Sequence, residues 1–249
     1  MSDTNGTGLP ASIEAVWGVG QQPTKGPKRG LSLERIVAAA IAVASSDGLA
    51  AVSMGRVAAE LGTSAMTLYR YVAAKDELLL LMTDAAVGPP VPIPAGARGW
   101  RAGMEHWARS LLAAYRRCPW VVRIPIAGPP NTPNHIAWMD QALTTMDDSG
   151  LDAGERMSVL LLVSGYVRND AILSGDLYAA FEAAATDPDA VMLDYGQMLR
   201  RLADAKRFPG VRKIVDAGVF DVADHPDHEF DFGLDRILDG VDALVRSRR

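Results

Sequence analysis

The stretch from Val52 to Val72 constrains the fold more than any other part of the chain. Ser53 is suited to cap a helix, because its hydroxyl can accept from an orphan backbone N–H. Val57, Ala58 and Leu61 then recur at helical spacing on one inward face. Gly62 can end that helix in a left-handed conformation, and Thr63 or Ser64 can cap the next one. In the second helix Leu68 and Val72 lie four apart and point to the core, which leaves Met66, Thr67, Arg70 and Tyr71 on an exposed face. Two short helices braced across a tight turn, one carrying such a face, predict a helix-turn-helix able to enter a DNA major groove. Ser53, Arg56, Thr63, Ser64, Ala65, Tyr69 and Lys75 complete the expected DNA-facing set.

The neighbouring sequence supports this. Ser32 can cap a helix that runs to about Asp47 and stops at Gly48, with Leu33, Ile36, Val37, Ala40, Ile41 and Ala44 on its inward stripe. Leu78, Leu81, Met82 and Ala85 mark a further helix beginning near Lys75. The run Thr67-Leu68-Tyr69-Arg70-Tyr71-Val72, with Lys75 after it and Ala58 to Gly62 before it, resembles the N-terminal domain of TetR-family transcriptional regulators. The resemblance covers Ser32 through Val87. Residues 230–241 resemble the last helix of the tetracycline-repressor type of C-terminal domain.

The resemblance implies a dimeric, DNA-binding regulator switched by a small molecule. Two departures narrow what it carries over. The family's founding members place an arginine for base reading where this chain has Gly55, with Arg56 one position later, so an operator sequence does not transfer. They also use a histidine just after the fourth helix to bind magnesium–tetracycline, where this chain has residues 85–89, Ala-Ala-Val-Gly-Pro. The expected effector is therefore an organic molecule without a metal.

With 249 residues, 49% of them hydrophobic, the chain can bury a substantial helical core. Its net charge of −5 argues against indiscriminate coating of nucleic acid. Between Lys25 and Lys75, however, seven Lys/Arg face three acids, Glu34, Asp47 and Glu60. Residues 1–30 are rich in Gly, Pro, Thr and Ser and predict a flexible extension in which Ile13, Val16 and Trp17 are the apolar exceptions. Its Lys25, Lys28 and Arg29 read either as a solvated, charged leader or as a basic arm suited to the DNA backbone or minor groove. A single cysteine, Cys118, excludes an internal disulfide, and no apolar run reaches the roughly 18–20 residues of a membrane span. A soluble, cytoplasmic protein without membrane contact is expected.

Gly88 to Pro94 holds four prolines in seven residues, a stiff boundary between a head at 31–88 and a second helical domain at 95–249. The second domain reads as a helix from Trp100 to Tyr115, one carrying Trp138 to Met146, and a long one capped by Asp152 and running to about Leu173. A loop from Phe181 to Asp189, a weak helix from Ala190 to Ala205, and a turn at Phe208-Pro209-Gly210 follow. The last helix bears a stripe of Phe230, Leu234, Ile237, Leu238, Val241 and Leu244. The fold class is all-α, a helix-turn-helix bundle joined to a larger ligand-binding and dimerisation domain.

No phosphate-binding glycine loop and no nucleophile elbow occurs, so no enzyme and no cofactor are expected. His225 and His228 among Asp221, Asp224 and Asp227 read as a solvated turn rather than a metal site. Four of the five tryptophans fall between residues 100 and 138, with Met104, Met139 and Met146 nearby. Such side chains fill cores, and they also line apolar pockets. The candidate effector site is Met104, His106, Trp107, Arg123, His135, Trp138, Met139, Tyr166, Asn169 and Asp170, with Asn134 beside it. The expectation is a repressor released from operator DNA by an apolar or amphipathic molecule. The alternatives are an activator, a partner-controlled regulator, and a small-molecule-binding protein or enzyme whose helix-turn-helix is only structural.

Overall fold

A computed structural model describes residues 8–19, 30–222, 225 and 227–248. Among these residues the regular structure is helical, with short 3₁₀ turns and no strand. The helices are α1 (Ala11–Val16), α2 (Leu33–Asp47), α3 (Met54–Glu60), α4 (Ala65–Leu68), α5 (Lys75–Val87) and α6 (Gly99–Arg117). They continue as α7 (Pro133–Thr145), α8 (Ala153–Ala184), α9 (Pro188–Leu202), α10 (Pro209–Asp216) and α11 (His228–Ser247). No helix among the described residues is long and apolar enough to cross a membrane.

Local chemistry sets these boundaries. Ser32, Ser53 and Ser64 accept from the backbone N–H three residues ahead, as N-caps of α2, α3 and α4. Helix α3 ends on Gly62 at φ +63°, where the Gly62 N–H donates to the Ala59 carbonyl and the Thr63 N–H to the Ala58 carbonyl. Both bonds belong to a glycine-terminated helix end that satisfies carbonyls the ladder leaves open. At α8, Asp152 Oδ1 accepts from the Glu155 N–H while Glu155 Oε2 accepts from the Asp152 N–H, a reciprocal cap.

The described residues of Met1–Ala171 and Val241–Arg249 form one compact unit, and those of Ile172–Gly240 form another. Within the first, Ile36, Val52, Leu68, Val72, Leu78 and Met82 are fully buried under the head, and Met104, Trp107, Ala142 and Met146 fill the α6–α7 interface. Gly103 permits the close approach of those two helices: a Cβ there would lie 2.3 Å from Thr145 Cγ2. In the second unit α9 packs against α10 and the turn that follows it, where Tyr195 meets Phe220 edge to face at 5.4 Å and Arg200 pairs with Asp221.

Four expectations need correction. Residues 11–16 of the expected flexible extension are helical, with Ile13 at 1% exposure. This helix is held from outside: Ser12 Oγ bonds Glu77, and the Trp17 indole N–H donates to the Asn131 carbonyl at 2.8 Å. Helix α8 runs through Phe181 to Ala184, so the acidic loop shrinks to residues 185–187 because alanine favours helix and the acids face solvent. Helix α9 starts at Pro188, which at the first helical position lacks only an N–H that would have no partner there. For the same reason Pro209 opens α10 rather than turning the chain.

Candidate nucleic-acid interface

The head positions its outward face by burying the opposite one. Leu68 and Val72 are both fully buried, and their burial orients the segment between Ser64 and Val72. Met66 stands 76% exposed. Tyr69, Arg70, Tyr71, Ser64 and Lys75 are also exposed, while Thr63, Ala65 and Thr67 are half-buried. Helix α4 is shorter than its spacing suggests. It ends at Leu68, so Tyr69 to Tyr71 form the turn that leaves it. Thr67 Oγ1 is 2.9 Å from Ser64 Oγ, which organises the first turn.

Two expected contacts have structural work of their own. The Tyr71 hydroxyl donates to the Leu31 carbonyl at 3.1 Å, tying the exit of the reading segment to the start of α2. Arg56 lies between Asp47 at 3.1 Å and Glu60 at 2.8 Å, which bridges the end of α2 to α3 and raises the already high pKa of the guanidinium. Ser53 is occupied as the α3 cap. Lys25, Lys28 and Arg29 lie outside the described residues.

Within the head, α5 is the piece that reaches α7. At its N-terminus Glu77 accepts from the Ala73 N–H at 2.7 Å, and burial pushes its carboxyl pKa up against that bond. Near its C-terminus the buried Asp84 accepts from the backbone N–H groups of Asn134 and His135.

The candidate effector residues do not form one group. Trp107 and Trp138 sit edge to face at 5.9 Å, exposed by only 1% and 5%. Each indole N–H has a backbone acceptor: Trp107 donates to the Trp138 carbonyl, and Trp138 to the Gly88 carbonyl, both at 2.9 Å. Met104 is fully buried beside them, whereas Met139 and His106 are half-buried, with His106 Nε2 3.4 Å from Ser110 Oγ. His135 belongs to the α5–α7 junction, where its Nδ1 lies 2.9 Å from Thr132 Oγ1. Burial lowers the His135 pKa and the Asp84 carboxylate partly offsets this. Arg123 and Asn169 are exposed. Tyr166 and Asp170 are half-buried on α8, and Asp170 reaches Arg116 at 3.9 Å.

Two residues outside the candidate set complete this region. Arg168 donates to the Val122 and Ile124 carbonyls at 2.7 and 2.9 Å. Burial raises the pKa of the Tyr115 hydroxyl, against the nearby Arg168 charge and its hydrogen bond. Nothing in the spacing of residues on α6 and α8 marks this pair, because its partners are backbone carbonyls of a distant 3₁₀ turn. No cluster of metal-ligating side chains occurs among the described residues.

Comparison with known proteins agrees with this architecture. Residues 36–82 match the bacterial regulatory proteins of the tetR family, and residues 93–245 match the tetracyclin repressor-like C-terminal domain. The chain belongs to the TetR family. It is 38% identical over 253 residues to the HTH-type transcriptional repressor DrrR1 of Streptomyces coeruleorubidus, covering 100% of this chain and 91% of DrrR1. Its fold resembles that of apo ActR from Streptomyces coelicolor, with a TM-score of 0.72 and 27% identity over 90% of this chain and 100% of ActR. ActR in complex with actinorhodin gives a TM-score of 0.72 and 26% identity, over 85% of this chain and 95% of that one. In this TetR-family chain the two family segments meet at the proline stretch, which docks on α7 through Trp138 to Gly88 and Gln141 to Val91.

Proposed function

We propose that the chain is a sequence-specific DNA-binding repressor, acting in the cytoplasm as a homodimer and released from its operator by a small, partly apolar organic molecule. The observation that carries DNA binding is the outward set Met66, Arg70 and Tyr71 on a segment whose other side is fully buried at Leu68 and Val72. A helix pair kept only for structure would not present an exposed methionine, guanidinium and phenol together. Thr67, Tyr69 and Lys75 extend the surface, with Lys75 at the first turn of α5, where helix-end amides also favour phosphate. The basic arm of Lys25, Lys28 and Arg29 would add phosphate contacts.

Repression is supported by the likeness to DrrR1, which is a repressor, and ligand control by the likeness to ActR, whose complex holds actinorhodin. The functional division follows the prolines, with the reading head at 31–88 and the effector and dimerisation domain at 95–249. No catalytic role is proposed. The effector reading centres on α6 and α7, whose half-buried His106 and Met139 flank a core of Met104, Trp107 and Trp138.

The test is selection of a duplex from a random-sequence library by the purified protein, followed by titration of the complex with actinorhodin. A selected consensus with two half-sites about 34–36 Å apart, released by the compound, is the expected result. Failure to enrich any sequence would sink the DNA reading. Enrichment without release would leave a DNA-binding protein that does not recognise this compound.

A further inference from the structure

We propose that Asp84 is a positioning residue that joins the helix-turn-helix to α7, so that DNA occupancy is felt in α7 and displacement of α7 is felt at the DNA; this rests on the DNA-binding function above. Helix α7 lacks a cap of its own. Its first residue, Pro133, has no N–H, and the helical ladder begins with the Ile136 N–H donating to the Thr132 carbonyl. That leaves the Asn134 and His135 amides without an intrahelical acceptor. Thr132, at the N-cap position, makes no side-chain cap, and its hydroxyl pairs with His135 Nδ1 instead. Asp84 Oδ1 takes both amides, at 3.0 and 3.1 Å. Asn134 Nδ2 returns to Asp84 Oδ2 and to the Asp84 carbonyl, each at 3.0 Å.

The cap of one helix is therefore supplied by another, fifty residues earlier in the chain. Asp84 is buried, as is Thr132, so water does not readily replace the lost partners if the helices separate. A carboxylate at a helix N-terminus is also favoured by the helix dipole, and that preference disappears with distance. The other end of α5 is packed into the head, against α2, with Leu78, Leu81 and Met82 buried together with Val72, and Glu77 closing its first turn on the Ala73 N–H. One rigid helix thus has its first turn on the reading segment and its last turn around the start of α7. Movement of α7 must either carry α5 with it or expose several unpaired polar groups.

Because coupling between two sites is reciprocal, it can be measured from the DNA end without knowing the natural effector. The probe is the duplex selected by the wild-type protein, and the readout is hydrogen–deuterium exchange of the α7 segment 136–145 with and without it. In the wild-type protein, DNA should change exchange across this segment by about fivefold or more. In Asp84→Ala that DNA-dependent change should vanish, while the duplex still binds and α7 stays protected. Asn134→Ala keeps the two backbone bonds and should retain part of the response, so it serves if Asp84→Ala does not fold.

A merely structural role would loosen α7 equally in both states and leave the DNA response intact in both variants; that result overturns the proposal. So does a wild-type α7 indifferent to bound DNA. If no duplex can be selected at all, the DNA reading falls and takes this inference with it. A duplex that binds without any α7 response removes the inference alone.

Discussion

Arg70 and Tyr71 are adjacent and exposed, yet they answer to different forces. Arg70 has no ion pair among the described residues, so removing it should leave folding stability within about 0.5 kcal/mol while weakening the selected duplex by about 1–3 kcal/mol. Tyr71 holds the Leu31 carbonyl, so Tyr71→Phe should cost about 0.5–1.5 kcal/mol of stability as well as whatever it gives the DNA. Thermal unfolding beside duplex titration separates the two. If both variants lose only stability, the outward face is not the reading surface. His135 makes a pH prediction. Its folded pKa is lowered by burial, so as pH falls below about 6.5 the unfolded chain takes up a proton that the folded chain resists. Stability should decline with acidification from that point, and His135→Asn should flatten the decline in urea titrations at pH 7.5 and 5.5. At this scale the caps were legible from sequence. Ser32, Ser53 and Ser64 bond three residues ahead, within reach of any local reading. Asp84 and Arg168 were not, since their partners lie 50 and about 45 residues away. The one hint at Asp84 is a carboxylate set in the largely apolar run that follows Glu77 in α5.

Among the elements, α1 changes how the basic arm should be probed. Deleting residues 1–29 would remove Lys25, Lys28 and Arg29 together with a helix whose Ile13 is buried and whose Ser12 and Trp17 are bonded elsewhere. Substituting the three cations by alanine leaves α1 in place. That variant should bind the selected duplex more weakly and lower the slope of log affinity against log salt by up to about three, with thermal stability unchanged. An unaltered slope would make the arm a plain leader. The periodic helices α2, α5, α6 and α11 were all legible, because a continuous apolar stripe needs only one-dimensional spacing. Helix α1 escaped because six residues carry too little period and are held by distant partners. The end of α8 escaped because an acidic, alanine-rich segment reads as polar whether it is helix or loop.

For the whole molecule, α8 presents Leu161 at 65% and Leu162 at 52% exposure, with Met157 exposed a turn earlier. Leucines left this open in a single chain are what a two-fold partner would cover. Leu238, by contrast, is fully buried within its own chain, so changing it tests folding rather than assembly. Leu161→Asp should yield folded monomers by sedimentation and weaken the two-half-site duplex, whereas a variant that remains dimeric would move the interface elsewhere. The family and its all-α architecture were readable from residues 32–87 and 230–241. Left unreadable was the fate of the tryptophans, because an indole in a core and one in a pocket have the same spacing; the burial of Trp107 and Trp138 and the acceptor each N–H finds appear only in the fold.

That acceptor has a practical side. Trp138 is tied by its indole N–H to Gly88, the residue that closes α5 and opens the proline stretch. Indole emission is sensitive to this bond and to the polarity around it, so the chain carries an optical gauge at the point where its two family segments meet. A red shift from this single ring, with the other tryptophans replaced by phenylalanine, would time the parting of the proline stretch from α7 on the stopped-flow scale. No external label would be needed.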